Sequence, residues 1–269
     1  AVSPMLEIRL IASPGYERNI GLGRLWDHAV LARNLKQQLK QEILLPDVAF
    51  IGYPPIETAA VMTRWLSVRG IASMLDIKDQ WPTLFLQVLP KFLHREGRAA
   101  LAPYFYFAKR AMRDASGLTA MAEGFLQWAT QFAGRARNRN DLVVPLTSPA
   151  GQVSDQELEV ARQWWNDRGI WADGRPRVCF VGSHSQSFDF DPVREAAKSF
   201  MDQGSGCEFI ICGEGNTSGI LRSMMACFPN VHFPGWVDRA QIEALAERSF
   251  AALAPYKNTP DFALSVPNK

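Results

Sequence analysis

Arg177-Val-Cys-Phe-Val-Gly182 and Cys207-Glu-Phe-Ile-Ile-Cys212, the second running into Gly213-Glu214-Gly215, are the two stretches that decide the fold. Each is almost wholly apolar, too short to be a helix of its own, and followed by glycine, so each reads as a buried strand entering a tight turn. Between them Ser183-His-Ser-Gln-Ser187 is a polar loop. Asp191-Pro192 then opens a helix through Val193, Ala196, Ala197 and Phe200, with proline suited to the first helical position. A strand, loop, helix and strand in that order is a crossover between parallel strands, and it predicts an α/β fold whose sheets carry helices on both faces. In such sheets ligands bind at the carboxyl ends of the strands, where backbone amides and helix N-termini favour phosphate. Both glycine loops fall at such ends, either as a phosphate-binding edge or simply as turns that need glycine.

The same rhythm runs through the rest of the chain. Met5 to Ile11 alternates as a strand, and Leu25, Trp26, Val30, Leu31, Leu35 and Leu39 recur at helical spacing between Leu22 and Ile43. Asp47 to Gly52 is a strand, Ile56 to Val68 a helix and Ile71 to Ile77 a strand. The last runs into Asp76-Ile-Lys-Asp-Gln-Trp-Pro82, placed where this architecture binds ligands; it is either part of a site or a turn in which Asp caps a helix. Pro90 to Arg113 is helical by pattern, with Leu101, Tyr104, Phe105, Phe107 and Met112 as its apolar side. Its six cations, Lys91, Arg95, Arg98, Lys109, Arg110 and Arg113, face one carboxylate, Glu96. Residues 91–113 therefore form either a segment that lies on an anionic membrane surface or a solvated helix face over an ordinary core. Short strands follow at 117–121 and 142–146 with a helix between them, and the small-residue stretch from Thr147 to Gly151 marks a domain boundary, giving domains 1–147 and 148–269. Beyond it come a helix at 155–168, the opening stretches, a helix at 219–226, a strand at 231–233, a turn at Pro234-Gly235, a helix capped by Asp238 and a strand at 251–254.

Composition sets limits. At 269 residues the chain exceeds the usual single domain, and a net charge of +2 gives no sign of nucleic-acid binding. The four cysteines, Cys179, Cys207, Cys212 and Cys227, have no metal-ligand spacing and no disulfide framework, which suits small core residues in a reducing, cytoplasmic compartment. No apolar run is long enough to span a bilayer. No Gly-x-Gly-x-x-Gly follows a strand with an acidic residue some way beyond it, which argues against a nicotinamide oxidoreductase.

Pro229-Asn-Val-His-Phe-Pro-Gly-Trp-Val237, followed by a helix and Ala254-Pro-Tyr256, resembles the second domain of retaining GT-B glycosyltransferases, the large family 4-like group that includes sucrose synthases and bacterial polysaccharide glycosyltransferases. Asp261-Phe-Ala-Leu-Ser-Val-Pro-Asn-Lys269 is similar to the opening of that family's donor-site helix. Asp76-Ile-Lys-Asp-Gln-Trp-Pro82 is similar to a first-domain loop of a bacterial branch. The resemblance implies two Rossmann-like domains, both incomplete: a first, acceptor-side domain without its opening strand and glycine-rich loop, and a second, donor domain without its last helices.

It further implies transfer of a sugar, with retention of configuration, from a nucleotide-sugar donor such as a UDP-sugar to a saccharide or lipid-linked acceptor, with no bound metal or cofactor. The expected donor-binding residues are Gly182, His184, Gln186, Gly213, Glu214, Gly215, Trp236, Val237, Asp261 and Lys269. Lys78 and Asp79 are expected at the reacting sugar, with Tyr53 beside them on the acceptor side. The chain departs from the family at Gln186, where relatives carry a basic residue for the donor diphosphate; glutamine can donate a hydrogen bond but brings no charge. A nucleotide-sugar epimerase of the same architecture and a non-catalytic nucleotide-sugar binder fit the same residues. A cytoplasmic protein, peripheral at the inner face of the membrane through residues 91–113, is the expected setting.

Overall fold

The computed structural model describes residues 6–17, 21–87, 89–147, 151–170, 174–259 and 262, and for residues 22, 87 and 91 the backbone alone. The chain divides between Leu146 and Thr147 into two compact units.

The first unit runs α1 (Leu22–Gln41), β1 (Val48–Tyr53), α2 (Ile56–Ser67), β2 (Ala72–Ile77), α3 (Thr83–Gln87), a 3-10 turn (Lys91–Leu93), α4 (His94–Ala100), α5 (Ala102–Asp114), β3 (Gly117–Ala120), α6 (Glu123–Ala133) and β4 (Leu142–Val143). Its strands are all parallel, in the order β1-β2-β3-β4. Each crossover steps one strand further in the same direction, so right-handed connections place α2, α5 and α6 on one face. There Ile51, Tyr53, Leu75, Ile77 and Leu118 pack against Ile56, Ala59, Ala108, Met112, Leu126 and Ala129. α1 packs on α2. On the opposite face Val48 and Phe50 of β1 and Leu142 of β4 are exposed, so the expected cover on both faces is not met by the described residues of this unit.

Three other expectations change here. The described part of the Met5–Ile11 stretch forms no strand: Leu6, Ile8 and Leu10 are all exposed, and alternation organises a strand only when one face is buried. The segment 90–113 is not one helix. A 3-10 turn and α4, which has no buried residue, give way at Leu101 to α5, where Pro103 sits in the first turn of a new helix. The small helix α3 was not anticipated. The 142–146 strand shortens to two residues.

The second unit runs α7 (Asp155–Asn166), β5 (Arg177–Val181), α8 (Asp191–Asp202), β6 (Glu208–Cys212), α9 (Ser218–Met225), β7 (Val231–Gly235), α10 (Arg239–Glu247) and β8 (Ala251–Ala252). β7 extends through Pro234-Gly235, which pattern assigns to a turn, and β8 is shorter than expected. The order is β7-β6-β5-β8, again all parallel. Alternation along the strands divides two cores: Phe180, Phe209 and Ile211 pack with Val193 and Ala197 of α8 and Leu221 and Met225 of α9. Cys179, Ile210 and Cys212 pack on the other side with Ala161 and Trp165 of α7 and Ala244 and Leu245 of α10. Capping boxes fix the starts of α7, Ser154 with Glu157, and α10, Asp238 with Gln241. Cys179, Cys207 and Cys212 are buried core residues.

Candidate functional site

In the second unit the chain steps from β5 out to β7 and then returns past β5 to β8, so the strand order reverses between β5 and β8. Loops leaving the carboxyl ends on either side of such a reversal diverge and leave a crevice for ligand. Here the three loops after β5, β6 and β7 are stapled together. The amide of Gly182 donates to Cys212 O (3.2 Å), that of Gly213 to Gly235 O (2.7 Å) and that of His184 to Glu214 O (3.1 Å). Close approach dictates the glycines: a Cβ on Gly213 (φ 116°) would stand 1.9 Å from Gly182 O, and one on Gly215 would stand 2.1 Å from His184 O.

His184 has no exposed surface. Its ring lies among Phe180, Phe190 and Phe233, and Nδ1 is 2.9 Å from Ser218 Oγ, which accepts from the Gly215 amide (2.8 Å). Burial pushes its pKa down, so the ring is neutral at pH 7. His184 therefore positions the first turn of α9 and does not face the crevice as expected. Val237 is likewise spent on the core. Glu214 is exposed and paired with Arg222; the Ser218 hydroxyl and Arg222 hold its carboxyl below the usual range. Trp236 is 76% exposed.

Gln186 lines a cavity of about 260 Å³ together with Ser185, Thr217 at the head of α9, and Lys257. Lys257 is the residue that pattern missed. It arrives because the loop after β8 is bonded to the loop after β5, Asp189 N to Pro255 O (2.7 Å) and Lys257 N to Ser187 O (3.1 Å). Asp189 and Asp191 also line the cavity, so its one lysine stands against two carboxylates. The sequence shows only a lysine shortly after a short strand; that this strand reverses the sheet order is decided by the fold.

In the first unit Asp76 ends β2 buried, accepts from Thr119 Oγ1 (2.8 Å) and pairs with Lys78 Nζ (2.7 Å). Lys78 and Asp79 are exposed just past β2 at the carboxyl edge of the sheet, and α3 begins at Thr83. Tyr53 is not on this surface. It is fully buried and donates its hydroxyl to Trp81 O (2.6 Å), supporting the loop from within.

Pattern also missed a titratable group behind this loop. His28 lies beside Trp81, and Arg24 lies over the Trp81 ring at 4.5 Å. Glu57 Oε2 is 3.8 Å from His28 Nδ1. Burial pushes the Glu57 carboxyl up, against the pull of its own amide, the Tyr104 hydroxyl and Arg24. Burial also pushes His28 down. A single histidine and a single glutamate in two helical patterns give no warning that the helices will bring them together. Asp261 and Lys269 lie outside the described residues. Among the described residues no group of three or more His, Cys, Asp and Glu stands together as a metal site, and no helix is long and apolar enough to cross a membrane.

No protein-family model matches the chain, and no curated protein sequence matches it. Solved structures do. WaaG, a glycosyltransferase involved in lipopolysaccharide biosynthesis, superimposes with a TM-score of 0.60 at 15% identity over 88% of this chain and 60% of its own. HepE from Anabaena, in complex with UDP and glucose, gives 0.55 at 14% identity over 86% and 56%. The catalytic domain of starch synthase IV from Arabidopsis thaliana, bound to ADP and acarbose, gives 0.56 at 11% identity over 90% and 57%. The chain thus spans 56–60% of the length of these structures. What it shares with them is a fold: two successive units with parallel-stranded α/β sheets, in the architecture of the GT-B glycosyltransferases.

Proposed function

We propose that the protein is a nucleotide-sugar glycosyltransferase of the retaining kind, using a UDP-sugar as donor and a saccharide or lipid-linked acceptor in bacterial polysaccharide or glycan synthesis. The observation that carries this reading is the reversal point of the second sheet. The stapled glycine loops lie at the carboxyl ends of β5 to β7, and Gln186 and Lys257 share one cavity with the head of α9. A departing diphosphate develops charge that fixed donors stabilise without reorganising, and backbone amides, a helix N-terminus and a lysine are such donors. Lys257 supplies a cation where Gln186 brings none, with Asp189 and Asp191 in the same lining. The likeness to structures holding UDP and glucose, or ADP, supports the choice of ligand class. Lys78, held by Asp76, and Asp79 are assigned to the transferred sugar and its acceptor. Asp261 and Lys269 are assigned to the donor. No metal or cofactor is given a part. Residence at the inner face of the cytoplasmic membrane belongs to the same reading.

Titration calorimetry with UDP tests it. A charge-assisted hydrogen bond of about 1.5–3 kcal/mol predicts that Lys257→Ala weakens binding about tenfold or more, and Gln186→Arg should tighten it. A folded protein that takes up no UDP refutes the reading. Product analysis with UDP-sugars and acceptor saccharides then separates the outcomes: a glycosylated acceptor supports transfer, an altered sugar on the donor alone identifies an epimerase, and a bound, unchanged donor identifies a binder.

A further inference from the structure

The helices over the first sheet carry a groove that no part of the site uses. α2 lies between α1 and α5, and the three enclose about 600 Å³. Its floor is apolar and mostly small: Ala29, Ala32 and Leu39 from α1, and Ala60, Val61 and Trp65 from α2. The Trp65 indole donates to Leu39 O (3.0 Å) and ties the two helices together at that end. Four cations line it as well, Lys36, Arg64, Arg69 and Arg110, against a single carboxylate, Glu57. Arg69 stacks on Trp65 at 4.3 Å, and Arg110 donates to the Tyr106 hydroxyl at 2.8 Å and pairs with Asp114 at 3.5 Å. The side chains of Lys36 and Arg64 have no hydrogen-bond or ion-pair partner among the described residues.

An open apolar channel gains from an apolar chain, and unpaired cations beside it gain from an anion. A molecule with both, joined end to end, is an anionic amphiphile. We infer that the α1–α2–α5 groove seats an acyl chain of an anionic phospholipid, with Lys36 and Arg64 on its phosphate, and so docks the first unit on an anionic bilayer. This rests on the membrane residence proposed above and moves its anchor from the cations of residues 91–113 to Lys36 and Arg64, with only α5 of that segment contributing a wall. The cations of that segment are partly engaged within the fold: Arg98 lies over Phe105, Lys109 over Phe132, and Arg113 donates to Ala133 O (2.6 Å). Phe107 and Arg110 of α5 line the groove instead.

The test is co-sedimentation with phosphatidylglycerol/phosphatidylcholine vesicles, with phosphatidylglycerol brominated on its acyl chains as a quencher of indole fluorescence. Wild-type protein should bind anionic vesicles, weaken with salt and ignore pure phosphatidylcholine. Lys36→Glu with Arg64→Glu should reduce binding about tenfold or more, at exposed positions where folding is not at stake. Brominated chains should quench a fraction of the fluorescence that disappears in Trp65→Phe. A wild type that binds no anionic vesicle overturns both the groove and the membrane residence and leaves the nucleotide-sugar reading standing. Binding released by Arg95→Glu with Arg98→Glu, but not by the Lys36/Arg64 pair, overturns the groove alone. Binding that depends on Lys36 and Arg64 without quenching of Trp65 overturns the seating of the chain.

Discussion

Phe50 and Phe180 both sit mid-strand in four-stranded parallel sheets, Phe50 on the edge strand β1 and Phe180 on the inner strand β5, and Phe50 is 70% exposed while Phe180 is wholly buried. The difference follows from the order of the strands. In the first unit every crossover advances the same way, so the helices collect on one face. In the second, α8 and α9 advance from β5 to β7, and α10 carries the chain back to β8, beside α7 on the other face. One reversal thus does two things: it gives the second sheet its second core, and it lays the loop after β8 against the loop after β5, so that Lys257 and Gln186 line one cavity. The first sheet has no reversal among its described strands, and Lys78 and Asp79 simply line one edge.

The sharpest way to break this comparison is to truncate both phenylalanines. Phe180→Ala should cost about 3–5 kcal/mol, as large aromatic deletions from cores do, while Phe50→Ala should stay within about 0.5 kcal/mol. Chemical denaturation of the two variants measures both, and a Phe50→Ala loss comparable to that of Phe180→Ala would mean that the open face is covered in solution. Next in size is Gly213→Ala. A Cβ in contact with Gly182 O at a positive φ adds strain of roughly 1–3 kcal/mol or more, and the loops after β5 and β6 must part. Hydrogen exchange should quicken in β5–β7 and remain unchanged in β1–β3; quickening throughout would show that the two cores do not respond separately.

A smaller effect sharpens the role of the first unit's edge. Lys78 is half exposed, and its pair with Asp76 is of the kind worth about 0–1 kcal/mol. Under the proposed transfer reading, Lys78→Ala and Asp79→Ala should therefore keep near-native melting and lose about tenfold in sugar transfer, near 1.4 kcal/mol of transition-state stabilisation. Normal transfer by a protein that melts early would make this loop structural.

The smallest effect is one of pH. Burial raises the Glu57 carboxyl, so the folded chain holds that proton more tightly than the unfolded one. Stability contributed by the protonated form is complete below the ordinary carboxylate range and is lost as pH rises through the raised folded value. Glu57→Gln removes this dependence. Its melting temperature should match the wild type near the acid end and exceed it increasingly toward neutrality; a constant offset would show that the carboxyl is not perturbed.

Much of this was legible in the residues because it rests on short-range periodicity. The runs Val48–Tyr53, Arg177–Val181 and Glu208–Cys212 are apolar over the length of a strand, and Asp191-Pro192 and Asp238 begin helices by local hydrogen bonding and fixed φ. Gly213 and Gly215 were legible as glycines at a strand end, though not as the contact surface between two loops. Local pattern failed where the outcome depended on what lay alongside. The alternation of Leu6, Ile8 and Leu10 found no face to bury. The apparent helix over 90–113 was divided at Leu101 before Pro103.

Sequence alone determined most of the elements, their parallel αβ alternation, the division into two units and the neutral residue at Gln186. Only the tertiary structure decided that His184 and Tyr53 turn inward, that Glu57 meets His28, and that Lys257 joins Gln186. Those outcomes are set by strand order and by which helix packs on which face. Both are contacts between residues far apart in the chain, whose free energy comes from burial and pairing that no local run of residues contains.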